Sequence, residues 1–367
     1  MTKKSTNVFL RALGNATGQV QDDETEPPEL VVPVFEEKWA AKRAILEGDD
    51  SSLGKSLLQN DFHPVLIFGT RATGKTTFLT SMLAFFTSMP DAGVTITLGD
   101  QLSNSEAGIL AHESAEKLFH LQVSDYIGGT APVLNQDPFP FFVPLELRKA
   151  GLPSITKVAL MESSGELWNV KNHKNHVQKL RTEIIDIYEN YPKPLSVIMV
   201  VPYAMSEGYT GSDSTIDDKE EFRVSDASLL QTLQIYRRSR PVGIEDQLYF
   251  VLTKWDMHTQ KIASEEFVNP NDELVEELVL KRFPQSYNFL KAMSLEQGVR
   301  CTPYSAGLIG GTTVLEIPKE LMPLLQEFPY RLWRWIYANA TDGGDLYGTG
   351  IRPRGGRISN LFRWLFS

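Results

Sequence analysis

Eight consecutive residues, Gly69-Thr70-Arg71-Ala72-Thr73-Gly74-Lys75-Thr76, have the makeup of a loop that folds around an anion. The pattern is G-x-x-x-x-G-K-[ST], in which the glycines let the backbone curl and turn its N–H groups inward. Directly before it, Val65 to Phe68 is a short apolar run with the length and branching of a buried strand. Directly after it, TTFLTSMLAFF is apolar at helical spacing, so a helix N-terminus opens on the loop. That terminus adds roughly half a positive charge at the same spot. Residues Gly69 to Thr76, with Thr77 behind them, are therefore expected to cradle phosphate. The Lys75 ammonium would reach the β and γ phosphates of a nucleoside triphosphate, and the Thr76 hydroxyl would ligate Mg2+.

Further chemistry-bearing residues stand at the ends of later apolar runs. LYFVL runs into Thr253-Lys254-Trp255-Asp256. A carboxylate at Asp256 can accept two hydrogen bonds from guanine, from N1–H and from the exocyclic amine. Adenine offers neither donor at that edge, so a buried Asp256 would be left unpaired beside it. The aliphatic stem of Lys254 can lie along the base. KVALM ends in Glu162-Ser163-Ser164-Gly165-Glu166, VRCTP is followed by Tyr304-Ser305-Ala306-Gly307, and Gly129-Thr130 stands ahead of the apolar stretch FPFFVPLELR.

Taken in order, GTRATGKT, GT, ESSGE, TKWD and YSAG resemble the Ras-like branch of P-loop GTPases, from about residue 69 to residue 307. The resemblance implies a three-layer α/β fold whose mostly parallel six-stranded sheet has one antiparallel edge strand. It implies GTP or GDP as ligand, with Mg2+. Glu162 falls at the acidic position of that family's D-x-x-G element, beside the metal, and the Gly165 N–H would sense the γ-phosphate. Thr130 would be the switch threonine, binding Mg2+ and the γ-phosphate together. Ser305 and Ala306 would support the base through the backbone. The chain departs from the family at Glu162, which is Asp there, and has no glutamine after Gly165. The long inserts, the terminal arms and the TRATGKT loop are more loosely similar to double-GTPase-type proteins of bacterial conflict systems.

Arg71 and Glu166 bear on turnover. An arginine inside the loop starts close to the γ-phosphate, so its guanidinium can fold back and neutralise developing charge. Glu166 follows the switch glycine, where a carboxylate can hold the attacking water if a cation such as Arg71 offsets its repulsion from phosphate. The bland reading leaves both side chains in solvent.

These residues need elements to hold them. Strands alternate with helices along the chain, which argues for a mostly parallel sheet covered on both faces. FPFFVPLELR and ITKVALME, joined by a short connection, read as a hairpin, GVTITLGD as an added strand, and SDYIGGTAPVLNQDPFP as a loop. SNSEAGILAHESAEKLFHLQ reads as a helix capped by Ser103 or Ser105. The acidic stretch 206–226 reads as a solvated loop, and Pro329 as a kink or break in the last long helix. The expected organisation is an arm over residues 1–60, a nucleotide domain over 61–340 with inserts near 90–128 and 206–226, and a basic, aromatic tail over 341–367. That tail, with Arg352, Arg354, Arg357 and Arg363, is either a docking peptide, a weak membrane-surface helix or a core-packed end.

A net charge of −10 argues against a general nucleic-acid surface. One cysteine, Cys301, excludes an intrachain disulfide and reads as a core thiol. No apolar run is long enough to cross a bilayer and no secretory signal is visible, so a cytoplasmic location is expected. His173 and His176 are three apart but have no further ligand at metal spacing, and an exposed polar face accounts for them. The expected function is slow GTP hydrolysis, with nucleotide state setting the binding of a protein partner through the switch regions or the tail. Two alternatives stay open: a nucleotide-locked subunit without turnover, and a P-loop ATPase.

Overall fold

The computed structural model describes residues 52–70, 72–88, 93–132, 140–163, 177–205, 216–256, 272–293, 299–306, 309–310, 313–314 and 322–347. All of them fall in the unit Ile45–Ser367. The elements run α1 (Leu53–Gln59), β1 (His63–Phe68), α2 (Lys75–Ser88), β2 (Val94–Leu98), α3 (Glu106–Glu116), a π-helical segment (Lys117–Gln122), α4 (Val123–Ile127), β3 (Phe141–Lys149) and β4 (Ile155–Glu162). They continue α5 (Val177–Asn190), β5 (Ser196–Pro202), α6 (Ile216–Ser239), β6 (Gln247–Thr253), α7 (Asp272–Arg282), α8 (Pro284–Met293), β7 (Arg300–Pro303), a two-residue pair β8 (Ile309–Gly310) and β9 (Thr313–Val314), and α9 (Met322–Ala340).

Seven strands form one sheet in the order β2-β3-β4-β1-β5-β6-β7. The pairs β4–β1, β1–β5, β5–β6 and β6–β7 are parallel. Antiparallel pairing is confined to the β2–β3–β4 edge, where β3 alone is reversed. The sheet thus has seven strands where six were expected, because GVTITLGD joins its outer edge. Every residue of β1 and β5 is buried, as a central parallel strand covered on both faces requires. Strand β2 instead alternates between covered and uncovered positions, the pattern of an edge.

The expected hairpin is present, with Phe141 to Arg148 opposite Glu162 to Ile155. Ser105 caps α3, its hydroxyl accepting from the Gly108 N–H at 3.0 Å. Three local expectations are corrected. Residues 124–127, expected in a loop, lie in a helix, Val123–Ile127, that continues the rod starting at Glu106. The second part of the acidic stretch is helical from Ile216, and it carries two buried residues, Ser225 and Asp226. The last helix runs on through Pro329, because Phe328, Leu332 and Trp333 are buried around it and hold the helix without the missing N–H.

Two anchors fix the frame of the site. At the ends where β5 and β6 begin, Arg240 and Asp246 form a buried ion pair at 2.8 Å. The guanidinium also donates to the carbonyls of Tyr188, Tyr191 and Lys193, which supplies the extra hydrogen bonds a buried pair needs. On the other side, Trp333 of α9 donates its indole N–H to the Met82 carbonyl at 2.8 Å and packs on Phe86, bracing α2. Cys301 is buried in the core, as expected.

Candidate nucleotide site

The site lies at the carboxyl ends of the parallel strands, where open α/β sheets place their ligands. Strand β1 delivers the chain into the loop, and α2 leaves it at Lys75. Gly69 is fixed by close approach. A Cβ there would sit 2.6 Å from the Val200 carbonyl oxygen and 2.8 Å from the Thr73 hydroxyl, so no larger residue fits. The turn itself is made by Ala72 (φ 60°) and Gly74 (φ 80°), both in the left-handed region. Glycine takes that conformation freely, whereas alanine does so at a cost of roughly 1–2 kcal/mol.

Lys75 folds back over the loop and donates to the carbonyls of Gly69 at 2.6 Å and Thr70 at 3.2 Å. Burial lowers its pKa to about 8, and the nearby Glu162 carboxylate partly offsets that effect. Below that pH it presents a held, poorly hydrated ammonium. The next residue, Thr76, donates its hydroxyl to Glu162 Oε1 at 2.9 Å. A buried hydroxyl and a buried carboxylate at adjoining positions are hard oxygen donors. They fit Mg2+, which commonly takes one or two protein oxygens and completes its shell with phosphate and water.

The segment expected to read the base is tied directly to this loop. Thr253, at the end of β6, donates its hydroxyl to the Thr73 carbonyl at 2.6 Å. Lys254 takes φ 57°, turning the chain sharply, and its ammonium donates to the Ala204 carbonyl at 3.1 Å. Trp255 is fully buried, and its N–H donates to the Tyr304 carbonyl at 3.2 Å. Asp256 is 5% exposed and accepts from the Ser305 hydroxyl at 3.0 Å. Tyr304 in turn shares a 2.6 Å hydrogen bond with Ser81 of α2 and stands edge-on to Phe78. The segments 253–256 and 304–306 are thereby fastened to each other and to the helix that starts at the phosphate loop.

Of the residues singled out in the sequence, the structure brings together Gly69, Thr70, Thr73, Lys75, Thr76 and Glu162 on one side. On the other it brings together Thr253, Lys254, Asp256, Ser305 and Ala306. Thr130 is exposed at the end of α4, its N–H bonded to the Asp125 carbonyl at 2.8 Å. Arg71, Gly165, Glu166, His173 and His176 lie outside the described residues, as do the arm and the tail from residue 348.

Two contributors were not singled out in the sequence. Ser225 of α6 shares a 2.5 Å hydrogen bond with Thr70 of the loop, both hydroxyls buried. The following residue, Asp226, accepts the N–H groups of Gln285 and Ser286 at the start of α8. The second contributor is the partly buried Tyr126, whose hydroxyl donates to the Ala306 carbonyl at 2.5 Å. The only signal for it was Gly128-Gly129, a helix stop rather than a loop start.

No protein-family model matches the chain, and neither does any curated protein. Among solved structures, a GTPase-like domain of S. cerevisiae Ski7, bound to GTP, is similar at 13% identity and a TM-score of 0.29. The match covers 66% of this chain and 42% of that one, so the chain spans under half of that domain's length. A likeness of this size has no bearing on the ligand. No described helix is long and apolar enough to cross a membrane.

Proposed function

We propose that the chain binds GTP and GDP with Mg2+, hydrolyses GTP slowly, and presents a different surface to a protein partner in each state. The observation that carries this reading is the hydrogen bond from Thr253 to the Thr73 carbonyl at 2.6 Å. It sets a segment with a buried carboxylate, Asp256, in one frame with the phosphate loop. A lone phosphate loop fits any triphosphate, but this frame favours guanine. Guanine offers the Asp256 carboxylate two donors, from N1–H and the exocyclic amine, whereas adenine offers neither at that edge.

In this reading the protein's work is positioning and charge neutralisation. Lys75 and the loop N–H groups would hold the phosphates, and Thr76 and Glu162 would hold Mg2+, which would supply positive charge beside them. Thr130 and the Gly165 N–H would sense the γ-phosphate, Arg71 would supply the second positive charge, and Glu166 would hold the attacking water. Identification of the nucleotide that co-purifies with the protein tests the reading. GDP is expected; adenine nucleotide would overturn the guanine assignment. Single-turnover hydrolysis in the parent, Arg71→Ala and Glu166→Ala, with affinity measured in parallel, tests turnover. A fall of at least about tenfold in both variants is expected.

One observation favours a second reading, a nucleotide-locked subunit that turns nothing over. Glu162 is a methylene longer than the aspartate of the family pattern and reaches the Thr76 hydroxyl directly. Intact GTP in the purified protein would select this reading.

A further inference from the structure

We propose that Tyr126 is a positioning residue that locks the segment carrying Thr130 and the base-side loop at Ala306 into one mechanical unit, so that the two ends of the nucleotide site form and release together. The inference rests on the guanine-nucleotide reading above and adds to it a residue and a coupling.

The helical rod from Glu106 to Ile127 ends in a Schellman motif. The Gly129 N–H donates to the Tyr126 carbonyl at 3.1 Å and the Thr130 N–H to the Asp125 carbonyl at 2.8 Å. Gly129 takes φ 87°, the left-handed turn that this cap needs and glycine adopts without strain. The glycine in Gly129-Thr130 is therefore the stop of a helix, and the Thr130 backbone is bonded to the last turn of that helix. Tyr126 belongs to the same turn.

The side chain of Tyr126 points the other way along this link. Its hydroxyl donates to the Ala306 carbonyl at 2.5 Å, from a partly buried side chain packed against the core. Burial, and then the neighbouring Asp256 carboxylate, raise its proton affinity far above that of an ordinary phenol, so it remains a donor throughout the working pH range. The Ala306 loop is already bonded to the base-side segment through Ser305 and Asp256. A chain of short contacts thus runs from Asp256 through Ser305, Ala306 and Tyr126 to the Thr130 backbone. A chain of this kind transmits order between sites because each link has one good geometry, and at its Asp256–Ser305 end both partners are buried and costly to leave unpaired.

Tyr126→Phe keeps the ring and removes only the hydroxyl, so the fold is retained. Three measurements on the full chain decide the proposal: amide hydrogen exchange without nucleotide, the dissociation rate of GDP, and the affinity for inorganic tripolyphosphate. The last of these engages the phosphate loop but has no base. The expected result is faster exchange in peptides covering both 123–130 and 300–306, GDP dissociation about tenfold faster, and tripolyphosphate affinity within about twofold of the parent. Faster exchange in only one of the two peptides, or unchanged GDP dissociation, would overturn the coupling. Equal weakening of GDP and tripolyphosphate with a large drop in melting temperature would also overturn it, by showing a merely structural role. A parent that binds no guanine nucleotide would sink the functional reading, while the exchange measurement would still decide the tether.

Discussion

The Thr76 hydroxyl donates to Glu162 Oε1 at 2.9 Å, so a residue in the first turn of helix α2 and the residue that ends strand β4 meet beside the phosphate loop. Their hydrogen bond holds two oxygen donors side by side, the pair proposed above to take Mg2+. Glu162→Gln keeps the size and removes the charge. Triphosphate affinity in the presence of Mg2+ is expected to fall about 10–100-fold. Affinity for the diphosphate measured with a chelator should change little. Calorimetry in both conditions checks this, and an equal loss in both would show that Glu162 supports the loop rather than the metal.

Lys75 gives a pH dependence with a defined sign. Its folded pKa of about 8 lies below the ordinary lysine value of 10.5. Between these values the unfolded chain holds a proton that the folded chain has lost, so this group makes the nucleotide-free protein more stable as pH rises from 8 to 10.5. Triphosphate affinity should move the opposite way, falling above pH 8 as the ammonium is lost. Lys75→Ala should bind triphosphate at least about a hundredfold more weakly and show neither trend. Titrations and thermal melts across pH 7–10, about the range of interest, read both.

Asp256→Asn exchanges a carboxylate for a carboxamide, which presents one acceptor and one donor. Guanine then loses a paired contact worth on the order of 1–3 kcal/mol, and xanthine gains one. Competition between GTP and XTP for the parent and the variant measures the exchange. Unchanged preference for guanine would exclude Asp256 from base reading.

The loop's two backbone devices predict opposite outcomes for exchanges between the same two residues. Ala72→Gly relieves a left-handed alanine, and after the added freedom of the unfolded chain is subtracted it should stabilise the protein by about 1 kcal/mol. Gly69→Ala drives a Cβ to 2.6 Å from the Val200 carbonyl. It should distort the loop and cost both stability and phosphate binding. Denaturant melts of the two variants, compared with the parent, decide the matter.

The start of the C-terminal tail belongs to the core. Leu346 and Tyr347 are buried, Tyr347 stacks on Tyr330 at 4.0 Å, and Lys149 donates to the Asp345 carbonyl at 2.7 Å. Ending the chain after Thr341 should therefore cost about 3–5 kcal/mol. Ending it after Gly350 should leave nucleotide binding intact and affect only a partner or membrane contact of the basic, aromatic remainder. Chemical denaturation of the two truncated chains separates the cases.

The phosphate loop and its flanking strand and helix were legible because the motif needs that context and both elements carry their own apolar pattern. The hairpin and the buried parallel strands were legible for the same reason. The base side could be read only as an ordered series of short segments. That Thr253 reaches the Thr73 carbonyl depends on β5 and β6 lying beside β1, which no local pattern states. Residues 124–127 were misread because Gly128 and Gly129 look like the inside of a loop, when they are the stop of a helix. The helix at 216–226 was hidden by its charge: the acidic run masks Ser225 and Asp226, whose burial depends on α8 and the phosphate loop. Pro329 was read by its usual effect, which the packing of Leu332 and Trp333 overrides.

The π-helical segment at Lys117–Gln122 gives the rod that carries Tyr126 an unusual property. A π-helical turn accommodates about one residue more than an α-helical turn over a similar rise. The rod therefore has a slack point, where a change in chain length, ordinarily the most damaging change a helix can suffer, can be absorbed. Removing the exposed His120 should let the segment close into plain α-helix, with Ser105 and Tyr126 still facing their present neighbours. The same deletion in α2, which has no such point, would rotate everything beyond it by about 100°. In this chain, tolerance to loss of a residue is a local property of one turn, set within the helix that joins the outer edge of the sheet to the base.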